Sequence, residues 1–354
     1  MGFIKKNLKF IVQILFLVAL LGVTFFQLLK GEELSDIWTT IKLANPGYLL
    51  LGVAMVLIFV GCEAVIIYYM MYALKKKIPF SSCTKYSFIG FFFSCITPFA
   101  SGGPPAQAYY MSKDHIDVPI ASLVLMIVTV MYKFVLVLIG AFLLLFYRPF
   151  VNQFMPDTKF WLDLGLVLNS GCVAVIFMLI FSPKLTGRFM YFGLNLLEKL
   201  HLLKQKEKRL RRLSTAMDKY KESAYFFRKN KGVVFHVLLI SVFQRVCLFY
   251  TTYIVYRAFG FHQYSAFEIV TLQAVISIAV DMLPLPGGVG AAEALFLSMF
   301  TPIFGSGLVL SGMLLSRGIS YYTLLLIGAL VTIYAHISIT RAALKKRNTE
   351  RRRT

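Results

Sequence analysis

An all-α, polytopic membrane protein is the fold class this sequence predicts, and three observations predict it. Hydrophobic residues fill 58% of the 354 positions, and the mean hydropathy is +0.73. Charged residues make up only 15%, where a soluble domain averages about 25%. The apolar residues also fall into runs long enough to cross a bilayer, which needs about 20 residues in a helix. Together these exclude an ordinary soluble enzyme, and the 33 Phe and 19 Tyr exclude a disordered chain.

The elements follow in order. Phe10–Leu29 comes after Lys5, Lys6 and Lys9, has no small-residue cleavage site, and reads as the first span rather than a signal peptide. Tyr48–Leu74, Val118–Phe146, Trp161–Phe181, Gly232–Ala258 and Arg317–Thr340 complete a set of six. Two apolar stretches are interrupted instead. Tyr86–Met111 is broken by Thr97-Pro98-Phe99-Ala100-Ser101-Gly102-Gly103-Pro104-Pro105, and Ala266–Phe304 by Leu283-Pro284-Leu285-Pro286-Gly287-Gly288-Val289-Gly290. Such short apolar arms suit re-entrant or buried helices better than spans.

Charge sets the orientation. Residues 182–231 hold 14 Lys/Arg against 4 Asp/Glu, and the tail 341–354 holds 7 against one. Both are expected in the cytoplasm, as are the N-terminus and the loop with Lys75, Lys76, Lys77 and Lys85. Threading the chain through these assignments makes each broken stretch begin and end on one side, and the two enter from opposite faces. Halves of about 1–146 and 161–340 then repeat one pattern upside down within a single integral membrane domain. The breaks align as Pro98…Gly102-Gly103 against Pro284…Gly287-Gly288, with one residue of slack. Paired broken segments in inverted halves point to a transporter's binding site.

Ionisable residues inside apolar runs are costly and mark function by default. Glu63, Lys133 and Arg245 sit centrally in their spans, Asp281 and Glu293 flank the second break, and Arg317 opens the last span. Three acids and three bases can also simply pair with one another. The breaks add Ser101, Gly102, Gly103, Gly287, Gly288 and Gly290, where helix N-termini offer N–H groups to an anion and Gly admits close approach. A phosphate would meet these N-termini with Arg245, Lys133 or Arg317. An ammonium group would meet Glu63, Asp281 or Glu293. A phospholipid headgroup fits this description.

No nucleotide-binding loop, zinc motif or nucleophile elbow is present, so no cofactor, metal or catalytic residue is expected. Cys62, Cys83, Cys95, Cys172 and Cys247 stand singly in apolar stretches as packing residues. Phe189, Phe192, Leu196, Leu200 and Leu203 recur at helical spacing before the basic run Lys204–Arg212. That suits an amphipathic helix on an anionic inner leaflet, or a solvated linker carrying topogenic charge, but not a nucleic-acid module.

At the two breaks the sequence resembles the lysylphosphatidylglycerol synthase transmembrane region. That region is the flippase half of the bacterial multiple peptide resistance factor, and it also occurs alone. The resemblance implies a bacterial plasma-membrane protein with cytoplasmic termini that moves a phospholipid such as lysylphosphatidylglycerol. Envelope charge and cationic-peptide resistance would follow. The family's soluble aminoacyl-transfer domain does not lie within the chain. The competing expectations are a phosphatidylglycerol lysyltransferase, or a scaffold for a separately encoded lipid-modifying enzyme.

Overall fold

The computed structural model describes residues 34–154, 159–182, 185–188 and 206–351, with Gly22, Phe26 and Phe192. The expected span Phe10–Leu29 and the stripe from Phe189 to Leu203 lie outside the described residues, those three positions excepted. Every regular element described is helical.

After α1 (Leu34–Lys42), four expected spans appear as single helices: α2 (Pro46–Ala73), α5 (Val118–Phe146), α7 (Lys159–Phe181) and α9 (Lys231–Ala258), with the short α6 (Arg148–Phe154) between α5 and α7. Their starts are written locally. The Asn45 side chain accepts the Gly47 N–H at 2.9 Å, with Pro46 in the first turn of α2, and Pro119 stands in the first turn of α5. Their outer faces expose large apolar residues such as Leu50, Leu57, Leu239 and Phe243, as lipid contact requires. The chain is a multi-pass membrane protein.

The last span differs from expectation. Helix α12 (Val309–Arg317) passes through a π turn, Gly318–Tyr322, into α13 (Thr323–Arg351). The apolar helical run is Val309–Ile339, so Arg317 lies inside the span and does not open it. The apolar run continues on both sides of Arg317, and a half-buried cation only looks like a boundary when its partner is unseen.

The two interrupted stretches are broken helix pairs. The first is α3 (Phe80–Ile96), a 3-10 turn at Pro98–Ala100, and α4 (Gly103–Lys113). The second is α10 (Ala266–Val280), a 3-10 turn at Pro286–Gly288, and α11 (Ala291–Phe304). A Ser265–Glu268 capping box starts α10. With 17, 11, 15 and 14 residues, the arms run about 16–26 Å, each short of the about 30 Å of bilayer hydrocarbon. Taken with its turn, Pro286–Phe304 does reach spanning length and hydropathy.

The breaks share their first turn and diverge after it, Ser101 and Gly102 being right-handed helical where Val289 is extended and Gly290 has φ of 88°. Phe99 and Ala100 have φ of 56° and 51°, and Gly287 and Gly288 have 59° and 66°. Pro98 therefore matches Pro286, and not Pro284 as the Gly-Gly pattern suggested. What recurs is a left-handed pair after proline. Glycine holds that conformation without strain in the second break, whereas Phe99 and Ala100 adopt it at a cost in the first.

Each pair also turns back on itself. Lys85 bonds Asp114 at 2.7 Å, tying the start of α3 to the end of α4. The Phe261 and Phe304 rings, 5.7 Å apart, tie the approach to α10 to the end of α11. Helix α2 leaves the second mouth, where the Asn45 N–H donates to the Ala258 carbonyl, and ends at the first, where Tyr68 meets Phe80. The 23 residues from Asn45 to Tyr68 make the mouths about 35 Å apart, while the two breaks abut.

Around this core α2 packs along α9, α13 along α3, and α7 along α5 and α10. Helix α8 (Lys206–Lys229) turns Met217, Tyr220, Ala224 and Phe227 onto the bundle beside α5 and α7, so this apolar stripe faces protein. Burial pushes the Tyr220 phenol up from its ordinary pKa and keeps it a neutral donor to the Leu179 carbonyl at 3.2 Å. Helix α7 approaches α10 closely at Gly165, where a Cβ would strike the Ile278 carbonyl. Gly165→Val is expected to cost about 2–3 kcal/mol through overpacking. Gly171→Val, on the same helix facing open space, serves as the control, and thermal unfolding in detergent compares the two.

Candidate functional site

A cavity of about 190 Å³ opens where the two breaks meet. It exceeds an engineered protein cavity of about 150 Å³ that holds benzene. Ala100 closes one side, Gly287 and Gly288 another, and α9, α10 and α12 supply Arg245, Asp281 and Arg317. Three charges within the apolar runs thus reach a single interior surface.

Among the described residues, the charges around the cavity form two ion pairs, with Arg245 bonded to no carboxylate. Lys133 of α5 donates to Asp281 at 2.6 Å, and also reaches the Met282 sulfur at 3.0 Å. Both side chains of that pair are about nine-tenths buried. Arg317 donates through Nε to Glu293 at 2.7 Å and through Nη2 to the Gly287 carbonyl at 3.1 Å. The second Glu293 oxygen accepts the Gly290 N–H at 2.7 Å, capping α11. Asp281 and Arg317 face the cavity, with Lys133 and Glu293 standing behind them.

Arg245 is different. It is 2% exposed, lies against the face of Tyr132, and its Nε and Nη2 have no hydrogen-bond partner. A buried guanidinium with unmade bonds is costly and is the natural seat for an anion.

Of the residues expected from sequence, five line the cavity: Arg245, Asp281, Arg317, Gly287 and Gly288. The remaining ones do not. Glu63 accepts a hydrogen bond from the Gln107 amide at 2.6 Å and does not line the cavity. Ser101 is exposed and donates to the Pro98 carbonyl, the Gly102 N–H goes to Thr97, and Gly103 is packed under Gly90. The helix N-termini expected to cradle an anion are thus partly filled by the protein itself, by Thr97 at one break and Glu293 at the other. Pro104 and Pro105 offer no N–H at all.

Sequence reasoning missed Gln107, Tyr132 and Tyr321. Tyr321 donates to the Cys95 carbonyl at 3.1 Å and packs so closely on Gly287 that a Cβ there would collide with its ring. Tyr132, adjoining Lys133 in the sequence, carried the one usable signal, since an aromatic beside a membrane cation is a candidate stacking partner.

Comparison with known proteins agrees with this architecture. None of the curated proteins compared matches the chain. The family model described as the lysylphosphatidylglycerol synthase TM region matches residues 10–328. With that match spanning most of its length, the chain belongs to the lysylphosphatidylglycerol synthase transmembrane-region family.

Proposed function

We propose that this protein is a phospholipid translocase of the bacterial plasma membrane, with both termini in the cytoplasm. In this reading α3–α4 and α10–α11 are re-entrant hairpins of an inverted repeat. The observation that carries it is the charged cavity where the turns of two broken helix pairs meet. The shared turn conformation supports the repeat, as does the packing of each half's last span on the other half's broken pair. A headgroup admitted from one mouth and released at the other would cross while its acyl chains stay in lipid along the apolar outer faces. The result is a changed lipid distribution between leaflets, and through it a changed envelope charge and resistance to cationic peptides.

The family relation makes lysylphosphatidylglycerol the first lipid to assay. In proteoliposomes, headgroups of a translocated lipid become accessible to a membrane-impermeant reagent faster than in protein-free vesicles. The reading fails if phosphatidylglycerol, lysylphosphatidylglycerol and phosphatidylethanolamine all move at the protein-free rate. In cells, deletion is expected to alter the sidedness of a lipid and leave its total amount unchanged. Loss of a lipid species from total extracts would favour a synthase role instead.

A further inference from the structure

The cavity's charges decide which lipid it reads. Asp281 already holds Lys133, and Glu293 already holds both Arg317 and the Gly290 N–H. Glu63 is bonded to Gln107 and does not reach the cavity wall. All three acids that an ammonium group would need are engaged, whereas Arg245 lines the cavity and its buried Nε and Nη2 have no hydrogen-bond partner.

We infer that the cavity is a phosphodiester site seated on Arg245 and Tyr132, selective for a monoanionic lipid headgroup with no cationic substituent. This rests on the translocase reading above and narrows it. The two non-bridging phosphodiester oxygens take the Nε and Nη2 donors in the two-point geometry suited to guanidinium. The single negative charge of the phosphodiester neutralises Arg245, which among the described residues bonds no carboxylate. Lysylphosphatidylglycerol carries the same phosphate but a net positive charge, so its binding would add like charge to a buried, poorly solvated surface. The cavity therefore reads the phosphate and disfavours the aminoacyl group.

The test is equilibrium binding to the purified full-length chain in neutral detergent, with four probes. They are dihexanoyl phosphatidylglycerol, dihexanoyl lysylphosphatidylglycerol, glycerophosphoglycerol and inorganic phosphate. The phosphatidylglycerol probe is expected to bind about tenfold or more tighter than the lysyl form, and Arg245→Gln to weaken it by about tenfold, the worth of one charge-assisted hydrogen bond. Arg245→Lys should fall between. Glu63→Gln, which removes a negative charge opposing the anion, should tighten binding. If Arg245→Gln does not fold, Tyr132→Leu takes its place and should weaken binding by loosening the guanidinium.

Equal or tighter binding of the lysyl probe overturns the selectivity, and unchanged binding in the folded Arg245 or Tyr132 variant overturns the site. Inorganic phosphate binding as tightly as the lipid overturns the lipid source in favour of a soluble phosphate. Glycerophosphoglycerol binding within reach of the lipid places recognition in the headgroup, as proposed. Because binding is measured without transport, a failed translocation assay leaves these outcomes intact, and the two readings fail separately.

Discussion

Glu293→Ala is expected to be the most damaging single substitution in the protein, costing about 4–5 kcal/mol of stability. Its carboxylate is 3% exposed and does two tasks at once, bonding Arg317 at 2.7 Å and accepting the Gly290 N–H at 2.7 Å. Truncation strands a cation beside a buried surface, which costs about 3–5 kcal/mol when one partner of a buried pair is removed. It also leaves the α11 cap unmade, at about 1 kcal/mol. Glu293→Gln keeps an acceptor for Gly290 and should cost less. Thermal midpoints and monodisperse yield in detergent measure both, and Glu293→Gln/Arg317→Gln should recover part of the loss. An Ala variant as stable as wild type would mean that the pair contributes nothing and that α11 does not depend on its cap.

The same residue shows what a sequence can and cannot disclose. That Glu293 mattered was legible, because an acid within an apolar run needs a reason. Spans were legible for the same cause: α2, α5, α7 and α9 start or end within two residues of the expected limits because hydrocarbon thickness fixes both pattern and length. Which charge meets which was not legible. Lys133 and Asp281 are 148 residues apart, and only the packing of α10 on α5 brings them together. The register of the breaks was misread for another reason. Glycine marks left-handed backbone only where the chain uses it, and the first break uses Phe99 and Ala100 instead.

Arg245 was least legible of all. From sequence, it was one of three bases balanced by three acids, a set that could cancel internally. Geometry removes two acids into pairs with other bases and bonds the third to an amide. Balanced composition thus conceals a locally unbalanced site, and that imbalance makes a binding cavity out of what would otherwise be structural pairing.

Lys133 and Asp281 allow that imbalance to be manipulated, with opposite expected consequences for the two partners. Asp281→Asn leaves Lys133 buried without its counter-ion beside an already unpartnered Arg245, and should cost about 3–5 kcal/mol. Lys133→Met frees the Asp281 carboxylate on the surface that Arg245 also faces, so the orphaned acid has a substitute cation and the stability loss should be smaller. The price appears in binding: Arg245 turned to Asp281 no longer receives a phosphodiester, and affinity for dihexanoyl phosphatidylglycerol should fall by about tenfold or more. The double variant Lys133→Met/Asp281→Asn removes both charges and leaves Arg245 as it was. It should regain most of the stability lost by Asp281→Asn, since deleting a whole buried pair is often close to neutral, and it should bind the anionic probe like wild type. Thermal midpoints and binding isotherms on the three variants test the argument together. Equal stability losses in the two single variants, or wild-type binding by Lys133→Met, would show that Arg245 and Asp281 do not share one electrostatic surface.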